Sequence, residues 1–525
     1  MSKSTQMAIS IATLLTLLLT SCSSAEKPVT APAGAQAGDL ILEPCTFKAE
    51  KVKYEADCGT LVVPENRSKP DSRMIALPVM RIRATGDSPA EPIFWLEGGP
   101  GQGNIDFQYP PALLVNHDFV MAGYRGAEGS VMLECPEVNK VSTGVGSDVL
   151  SEASLDHMAN AMRQCAERLQ GEDVDLEGYT IPEVVEDMEA ARVALDYERV
   201  NLLSESYGTR VAQIYAYLHP ESVYRSAMVG VNPPGHFVWE PETVDAQIET
   251  YADLCAQDTA CSARTDDLAE TMRTVAHNMP ARWLLLSIDP GKVRVVTFML
   301  LFHRSTAATV FDAYLAAEAG DPSGLALMSL AYDFIMPSVF IWGDLLTKGG
   351  SADYDPTRDY LAELDPTSSI IGSPAGMLIW EPASKGWPIT PIPDELRQVH
   401  TSEVETLLIS GSVDFSTPPQ FATDELLPYL PNGRQVILAE MGHTEDVRNV
   451  QPEATERLLT SFYDTGVADD SLFTYAPMDF HVGMGFPALA KIGLGVVVVL
   501  ILVAGVVIWL IVRRISRRRA TQIAA

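Results

Sequence analysis

The stretch from Val200 to Gly208 constrains the fold of this chain more than any other. Its sequence, Val-Asn-Leu-Leu-Ser-Glu-Ser-Tyr-Gly, runs a short apolar strand into the helical pattern of residues 209–219. Ser206 stands at the bend, with the small residues Ser204 and Gly208 two positions to either side. Such a bend strains the backbone of its central residue, exposes that side chain and admits only small neighbours. The stretch therefore predicts a strand–turn–helix unit with an exposed serine hydroxyl.

The motif alone leaves two interpretations open, a nucleophilic serine or an ordinary strand–helix connection with a solvent-exposed serine. The expected pattern is Gly-x-Ser-x-Gly, and Ser204 replaces its first glycine. The surrounding pattern supports the first interpretation, because apolar strand segments alternate with helical ones before and after the bend. This alternation predicts an α/β fold with a mostly parallel sheet, which we expect to have eight strands.

Residues 232–400 interrupt the alternation. They hold helical stretches, aromatic-rich and Met-rich patches and proline breaks, but few strand signals. We interpret them as a large, mainly helical cap inserted between two core strands, where substrate selection would reside. The core would then consist of residues 45–231 and 401–466.

The N-terminal segment indicates export. Residues 1–22 have the length of a signal peptide, and Leu19-Thr20-Ser21-Cys22 is similar to a bacterial lipoprotein cleavage box, which predicts lipidation of Cys22. Plain secretory cleavage is the alternative. Residues 23–44, rich in Ala, Pro and Gly, are predicted to form a flexible tether.

The C-terminal segment indicates a membrane span. Residues 492–512 are uncharged and long enough to cross a bilayer, and residues 467–491 would connect them to the core. Five arginines follow in residues 513–525, which predicts a cytoplasmic tail and an extracytoplasmic core, periplasmic or on the surface of a bacterial cell. A buried core helix is the alternative reading of this apolar run.

The net charge limits the possible binding partners of the protein, and the cysteine content indicates its cellular compartment. The formal net charge of −32 disfavours nucleic acid as a partner. With Cys22 set aside, six cysteines remain, and proximity suggests three disulfides, although six cysteines allow other pairings. The suggested pairs are Cys45 with Cys58, Cys135 with Cys165, and Cys255 with Cys261. No spacing typical of a metal site is present, and we expect neither a metal nor a cofactor.

A serine nucleophile needs a base and an acid that orients the base. Asp414 follows the predicted strand 405–410, and His443 follows the predicted strand 434–438, so both would meet Ser206 at the carboxyl edge of the sheet. The order serine, acid, histidine is the one expected of an α/β-hydrolase. Asp394 is the competing acid, but it lies in a proline-rich stretch, and His219 fits a helix-end role better.

A glycine loop follows the early strand 92–96. It reads Glu97-Gly98-Gly99-Pro100-Gly101-Gln102-Gly103, and its spacing fits neither the phosphate-binding nor the dinucleotide-binding pattern. In a serine hydrolase, a loop at this place supplies half of the oxyanion hole. We therefore expect the backbone N–H groups of Gly99 and Tyr207 to bind the oxyanion.

Several motifs together resemble the prolyl iminopeptidase and tripeptidyl aminopeptidase branch of the α/β-hydrolases. They are Gly-Gly-Pro-Gly at 98–101, Tyr-Arg-Gly at 124–126 with Ser130 behind it, Tyr179-Thr180, the run 201–210, Pro220-Glu221, residues 230–233, and Gly-Ser-Val-Asp-Phe-Ser-Thr-Pro at 411–418. The resemblance covers about residues 45–465 and is faint in the cap. Two positions besides Ser204 depart from the branch: Glu97 stands where its usual histidine precedes Gly-Gly-Pro-Gly, and residues 123–128 lack its usual Asp-x-Arg-Gly-x-Gly.

The resemblance implies an exopeptidase that acts on free peptide N-termini and holds the substrate ammonium group with acidic residues. Glu97, Glu205 and Glu240 are the candidates for this role, and solvated surface carboxylates are the alternative. We therefore predict a membrane-anchored extracytoplasmic serine hydrolase, an aminopeptidase of this branch. Its expected partners are a peptide or small ester substrate and the membrane, and its oligomeric state stays open. A carboxylesterase or lipase-like hydrolase and a catalytically degenerate surface binding module are the alternatives.

Overall fold

A computed structural model describes residues 29–49 and 52–523, with side chains described as far as residue 515. The predicted signal peptide and the predicted lipidation site Cys22 lie outside the described residues.

The core is a nine-stranded sheet in the order β1-β2-β3-β5-β4-β8-β9-β12-β13. All strands of the chain, including those of two small two-stranded sheets, are β1 Leu40–Ala49, β2 Val52–Pro64, β3 Met74–Ile82, β4 Ile93–Leu96, β5 Phe119–Ala122, β6 Arg125–Gly126, β7 Glu128–Met132, β8 Val200–Glu205, β9 Val223–Val229, β10 Arg282–Trp283, β11 Leu286–Ser287, β12 Glu405–Gly411 and β13 Gly433–Leu438. The run from β5 to β13 is parallel, which confirms the predicted mostly parallel sheet.

The sheet has one strand more than the eight predicted. The additional strand β1 begins at Leu40, inside the predicted tether, and pairs antiparallel with β2 along its whole length. Pro44 weakens the strand signal of this segment in the sequence, but an edge strand tolerates a proline, and a disulfide joins Cys45 to Cys58 of β2. The tether can therefore include no residue beyond position 39.

Both faces of the sheet are buried. Successive residues of the central strands point to opposite sides, so Leu202 of β8 belongs to one hydrophobic core and Leu203 to the other. The same alternation holds for Leu407 and Leu408 of β12. This double burial explains why the central strands contain consecutive apolar residues, such as Ile-Phe-Trp-Leu in β4 and Leu-Leu in β8 and β12, rather than a strict alternation.

Helices cover the sheet and form the cap. Their bounds are α1 Pro136–Val141, α2 Glu152–Gly171, α3 Ile181–Ala194, α4 Tyr207–Leu218, α5 Pro241–Gln257, α6 Thr259–Ser262, α7 Leu268–His277, α8 Pro290–Leu300, α9 Arg304–Glu318, α10 Ser323–Ile335, α11 Trp342–Asp353, α12 Tyr360–Glu363, α13 Pro374–Gly386, α14 Thr444–Asn449, α15 Pro452–Thr465 and α16 Phe486–Ile523. Between β9 and β12 the chain forms α5 to α13 and the short ribbon β10–β11. This segment corresponds to the predicted, mainly helical cap.

The C-terminal helix α16 contains a segment, Phe486–Ile515, that is long and apolar enough to cross a membrane. Its first turns contact the cap, because Ser323 Oγ donates to the Pro487 carbonyl (3.4 Å) and Lys491 Nζ lies 2.5 Å from Asp321 Oδ2. Beyond Ala490 its described side chains are exposed. Length, composition and exposure agree with the predicted span.

The three predicted disulfides are present. Cys45 is bonded to Cys58, Cys135 to Cys165, and Cys255 to Cys261. Each closes a short loop of at most 30 residues in sequence separation, so each stabilises a local segment of the fold.

Arg125 is a fully buried side chain that makes five hydrogen bonds beside the sheet. Its guanidinium is inaccessible to solvent and forms two bonds of 2.6 Å with the carboxylate of Asp187 on α3. It also donates to the carbonyls of Glu65 and Gly178, at 2.6 Å each. Arg125 thus connects the end of β2 to helix α3 and to the segment that precedes α3.

We expect Asp187→Ala to destabilise the fold, because it removes the main counter-charge of a buried guanidinium. The expected loss in the free energy of unfolding is about 3–5 kcal/mol, as for other broken buried pairs. The matched control is Glu186→Ala on the same helix, whose half-exposed carboxylate pairs with His219 and whose loss should cost below about 1 kcal/mol. Denaturant unfolding of the full chain in detergent measures both, and equal losses would contradict the assigned role.

Candidate active site

The turn at Ser206 has the strained backbone that the sequence predicts. Ser206 joins β8 to α4 with φ 48° and ψ −117°, in the region that residues other than glycine rarely adopt. Gly208 is required here, because a Cβ atom at this position would lie 2.1 Å from the carbonyl oxygen of Leu96. Ser204 fits in place of the usual glycine, since its buried hydroxyl donates to the Ala227 carbonyl at 3.2 Å.

His443 and Asp414 form a buried imidazole–carboxylate pair. Asp414 lies just after β12 and His443 just after β13, and His443 Nδ1 lies 2.8 Å from Asp414 Oδ2 and 3.0 Å from Oδ1. The carboxylate also accepts the backbone N–H groups of Ser416 (3.0 Å) and Thr417 (2.8 Å), which fix its orientation. Burial lowers the pKa of His443, but the Asp414 carboxylate outweighs burial, and the net pKa is above its ordinary value.

Ser206 and His443 line one cavity of about 540 Å³ between the core and the cap. Gly99, Glu97 and Glu205 line the same cavity, so five of the predicted site residues meet there. Its cap wall is largely apolar, with Val295, Phe298, Phe302, Met336, Phe340 and Ile379 among its residues. Asp414 lies behind the imidazole and is fully buried.

The glycine loop lies directly against the serine. A Cβ atom on Gly98 would come within 3.3 Å of Ser206 Cβ. In the described part of the chain, the backbone N–H of Gly99 has no acceptor. Tyr207 is the first residue of α4, where a backbone N–H has no acceptor inside the helix. Two free donors therefore flank Ser206, one on the loop and one on the helix.

Four carboxylates line the cavity, those of Glu97, Asp106, Glu205 and Glu445, and Glu97 and Glu205 directly precede Gly98 and Ser206. Glu205 is 1% exposed and is bonded by the hydroxyl of Tyr109 and the guanidinium of Arg448. Glu97 accepts the Gly98 N–H at 2.8 Å. Burial, together with the charge of Glu205, raises the pKa of Glu97 to about 7. Arg448 thus compensates one of these two carboxylates, and the other, Glu97, is only partly ionised at neutral pH.

The structure does not bring Glu240 to this cavity. Glu240 directly precedes α5, and its carboxylate accepts bonds of 2.7 and 3.0 Å from Arg358, which lies between α11 and α12. The predicted role of Glu240 in substrate binding therefore gains no support from the structure. The competing acid Asp394 is also remote, because its side chain is 88% exposed and faces Arg397. His219 lies at the C-terminal end of α4 and contacts Glu186, in agreement with a helix-end role.

Sequence reasoning missed Arg448 and Tyr109. Both line or support the polar end of the cavity, yet neither belongs to a recognisable motif. Arg448 follows His443 by five residues on the short helix α14, and this proximity is the only sequence signal that could have suggested it.

Comparison with known proteins supports the fold. A model of the alpha/beta hydrolase fold family matches residues 91–444, well over half of the chain. The chain belongs to this family. It is 28% identical to a tripeptidyl aminopeptidase of Streptomyces lividans over 208 residues, which are 36% of this chain and 38% of that protein. It is also 28% identical to the serine protease Hip1 of Mycobacterium tuberculosis over 248 residues, 42% of this chain and 46% of that protein.

These matches span less than half the length of either relative. Together with the family match they support the predicted resemblance to tripeptidyl aminopeptidases and identify this α/β-hydrolase as similar to serine peptidases.

The raised pKa of Glu97 predicts a pH-dependent stability. Because its folded pKa lies above the ordinary value of 4.5, ionising Glu97 costs the folded state stability as the pH rises from about 4.5 through about 7. We expect Glu97→Gln to stabilise the protein by about 3 kcal/mol above pH 8 and to change nothing at pH 4. Unfolding at both pH values measures this difference.

The control for this measurement is Glu249→Gln on the exposed surface of α5, which should shift stability by less than about 0.5 kcal/mol at either pH. If Glu97→Gln changed the stability as little as the control does at both pH values, the result would contradict the buried environment assigned to Glu97.

Proposed function

We propose that this protein is a membrane-anchored serine hydrolase that releases residues or short peptides from free peptide N-termini outside the cytoplasm. The proposal rests above all on one observation: a strained serine and an imidazole paired with a buried carboxylate line the same cavity. Ser206 is the nucleophile, His443 the general base and Asp414 the group that orients the imidazole.

In the first step, His443 Nε2 takes the proton of Ser206 as the hydroxyl oxygen attacks the substrate carbonyl. Asp414 accepts the Nδ1–H and stabilises the imidazolium that forms. The N–H groups of Gly99 and Tyr207 bind the oxyanion, and each such donor contributes about 3 kcal/mol to lowering the barrier. Their lack of other acceptors supports this role, since free donors can meet the developing charge.

In the second step, the tetrahedral intermediate collapses, the C–N bond breaks and His443 gives its proton to the departing amine. The acyl group now resides on Ser206 as an ester. A water molecule, deprotonated by His443, attacks this ester, and the serine leaves with the proton returned to it. The products are a carboxylic acid and an amine, and the enzyme is regenerated.

The polar end of the cavity supports an aminopeptidase. Of the carboxylates that line the cavity, Glu205 is already paired with Arg448 and Tyr109, and we assign Glu97, which directly precedes Gly98, to receive a substrate ammonium group. A nearby cation also favours the ionised form of Glu97, which offsets its raised pKa. Two relatives named as a tripeptidyl aminopeptidase and a serine protease point to the same class of substrate.

The helix α16 supports the membrane anchor, and the arginines that follow residue 512 favour a cytoplasmic tail, with the core on the other side. The largely apolar cap wall also fits small or lipid esters, which keeps an esterase as the second candidate. The two candidates differ in whether hydrolysis requires a free amino group at the N-terminus of the substrate.

The proposal predicts that Glu97→Gln lowers kcat/KM for peptide p-nitroanilides with a free N-terminus by about 10- to 100-fold, as expected for one charge-assisted hydrogen bond. Activity on simple acyl esters should be unchanged, and N-acetylation of the peptide should remove most activity of the wild type. The matched control is Glu240→Gln, which also removes a carboxylate, but one that does not line the cavity.

Two results would contradict the aminopeptidase assignment. One is equal hydrolysis of free and N-acetylated peptides. The other is an unchanged kcat/KM for free peptides in Glu97→Gln, which would favour the esterase. Ser206→Ala distinguishes the aminopeptidase and the esterase from a binding module. If the protein is an enzyme of either kind, this substitution should abolish hydrolysis of every substrate.

A further inference from the structure

The turn that carries His443 contains a strained residue of its own. Glu440 lies two residues after β13 and adopts φ 54°, in the left-handed region that a glutamate rarely occupies. Three residues later the chain reaches His443, whose imidazole must face both Asp414 and Ser206. A conformation of this kind persists only when the surrounding structure holds it. The contacts of Glu440 therefore bear on where the imidazole lies.

The carboxylate of Glu440 is held by the segment that leads to the membrane helix. Glu440 is 9% exposed; its Oε1 accepts the hydroxyl of Tyr475, and its Oε2 accepts the backbone N–H of Met478 at 2.6 Å. Both donors belong to residues 474–480, which we call the strap. A buried carboxylate is unfavourable without hydrogen-bond donors, so the strap stabilises Glu440 in its strained conformation.

The main chain of the turn is connected to the strap as well. Arg304, the first residue of α9, donates from Nη1 to the Glu440 carbonyl at 3.1 Å and to the Ala476 carbonyl at 2.8 Å. The N–H of Glu440 donates to Ser412 Oγ at 2.8 Å, two residues before Asp414. The turn is thus held between the loop of the catalytic acid on one side and the strap on the other.

The strap is itself fixed to the folded core and the cap. The side chain of Gln451 bonds the main chain of Thr474 in both directions, donating to its carbonyl at 2.8 Å and accepting its N–H at 2.9 Å. The buried ring of Phe480 stacks on Phe311 of α9, with the ring centroids 6.0 Å apart. The strap is therefore an ordered element that ends six residues before α16 begins.

We propose that Glu440 is a positioning residue for His443, and that the strap, by bonding Glu440, forms part of the catalytic unit. The strap lies in the linker between the core and the membrane helix, so this linker sets the activity of the protein as well as its location. The proposal rests on the proposed function, since it requires His443 to act as the general base.

The test compares two substitutions of Glu440 in the full-length protein in detergent. Glu440→Ala removes the acceptor of both strap bonds, whereas Glu440→Gln loses the same charge but keeps an oxygen that can accept the Met478 N–H. The measurement is the rate constant for labelling of Ser206 by a fluorophosphonate, which needs the activated serine and no recognition of a peptide. Glu440→Ala should slow labelling by about 10-fold or more, since a displacement of about 1 Å can cost about 100-fold, and Glu440→Gln should slow it by less than about 3-fold.

The pH dependence of labelling separates displacement of His443 from a general loss of stability. The charged and titratable groups around the imidazole are Asp414, Glu205, Arg448, Glu445, Asp446 and His303. Asp414 keeps the pKa of His443 above its ordinary value, and a displaced imidazole loses part of this effect. The acid limb of the labelling rate should therefore lie at lower pH in Glu440→Ala than in Glu440→Gln. Identical acid limbs in the two variants would overturn the proposal.

The matched control is Glu65→Ala, which also removes a buried carboxylate. Glu65 is 2% exposed, is bonded by Arg73 and Tyr179, and does not line the cavity. Both alanine variants should lower the free energy of unfolding, but only Glu440→Ala should slow labelling of the folded protein. Equal slowing in the two variants, or a wild-type rate in folded Glu440→Ala, would overturn the proposal.

A second variant changes the strap and leaves the turn intact. Tyr475→Phe alters a side chain that is 69% exposed, so the protein should fold, and it removes one of the two strap bonds. It should slow labelling by about 2- to 5-fold, as expected for one hydrogen bond, whereas Tyr429→Phe at another exposed tyrosine should leave the rate unchanged. Equal rates in these two variants would overturn the proposal. A folded wild-type protein that is not labelled would instead overturn the proposed function.

Discussion

The backbone turn at Ser206 is the constraint on which the rest of the site depends. Holding a serine at a positive φ costs about 1–3 kcal/mol, so the surrounding strands must enforce the turn. They do so at two points: Ser206 N–H donates to the Val229 carbonyl of β9 at 2.9 Å, and Gly208 packs against the Leu96 carbonyl of β4. The ends of three adjacent strands are thereby locked around one residue. The glycine loop, Ser206 and His443 meet there because parallel strands end at the same edge of the sheet.

The positions of the charged side chains in the site follow from the same arrangement of strand ends. Glu205 immediately precedes Ser206, and Glu97 immediately follows β4, so adjacent strand ends bring two carboxylates together at one end of the cavity. Arg448 neutralises one of them, which leaves the other with a raised pKa and a capacity to receive a cation. The opposite wall comes from the cap and is largely apolar. The cavity therefore offers a polar end and an apolar side to the same substrate, with Ser206 between them.

The sequence predicts the parts of the site that local backbone chemistry and chain order determine. Asp414 and His443 could be predicted as partners of Ser206 because each follows a predicted strand, and neighbouring parallel strands end at the same edge of a sheet. Glu240 could not be judged, because nothing local reveals that Arg358, far along the cap, takes its carboxylate. The strand β1 was missed because its pairing partner β2 and the disulfide of Cys45, rather than its own pattern, stabilise it.

The central claim is that Ser206 is a nucleophile activated by His443. Fluorophosphonate probes react with serines that a neighbouring base activates, so labelling followed by mass spectrometry of the digested full-length protein tests this claim most directly. The account predicts a single adduct on the peptide that contains Ser206, absent in Ser206→Ala and strongly reduced in His443→Ala. Labelling at another residue, or no labelling of a folded wild-type protein, would contradict it.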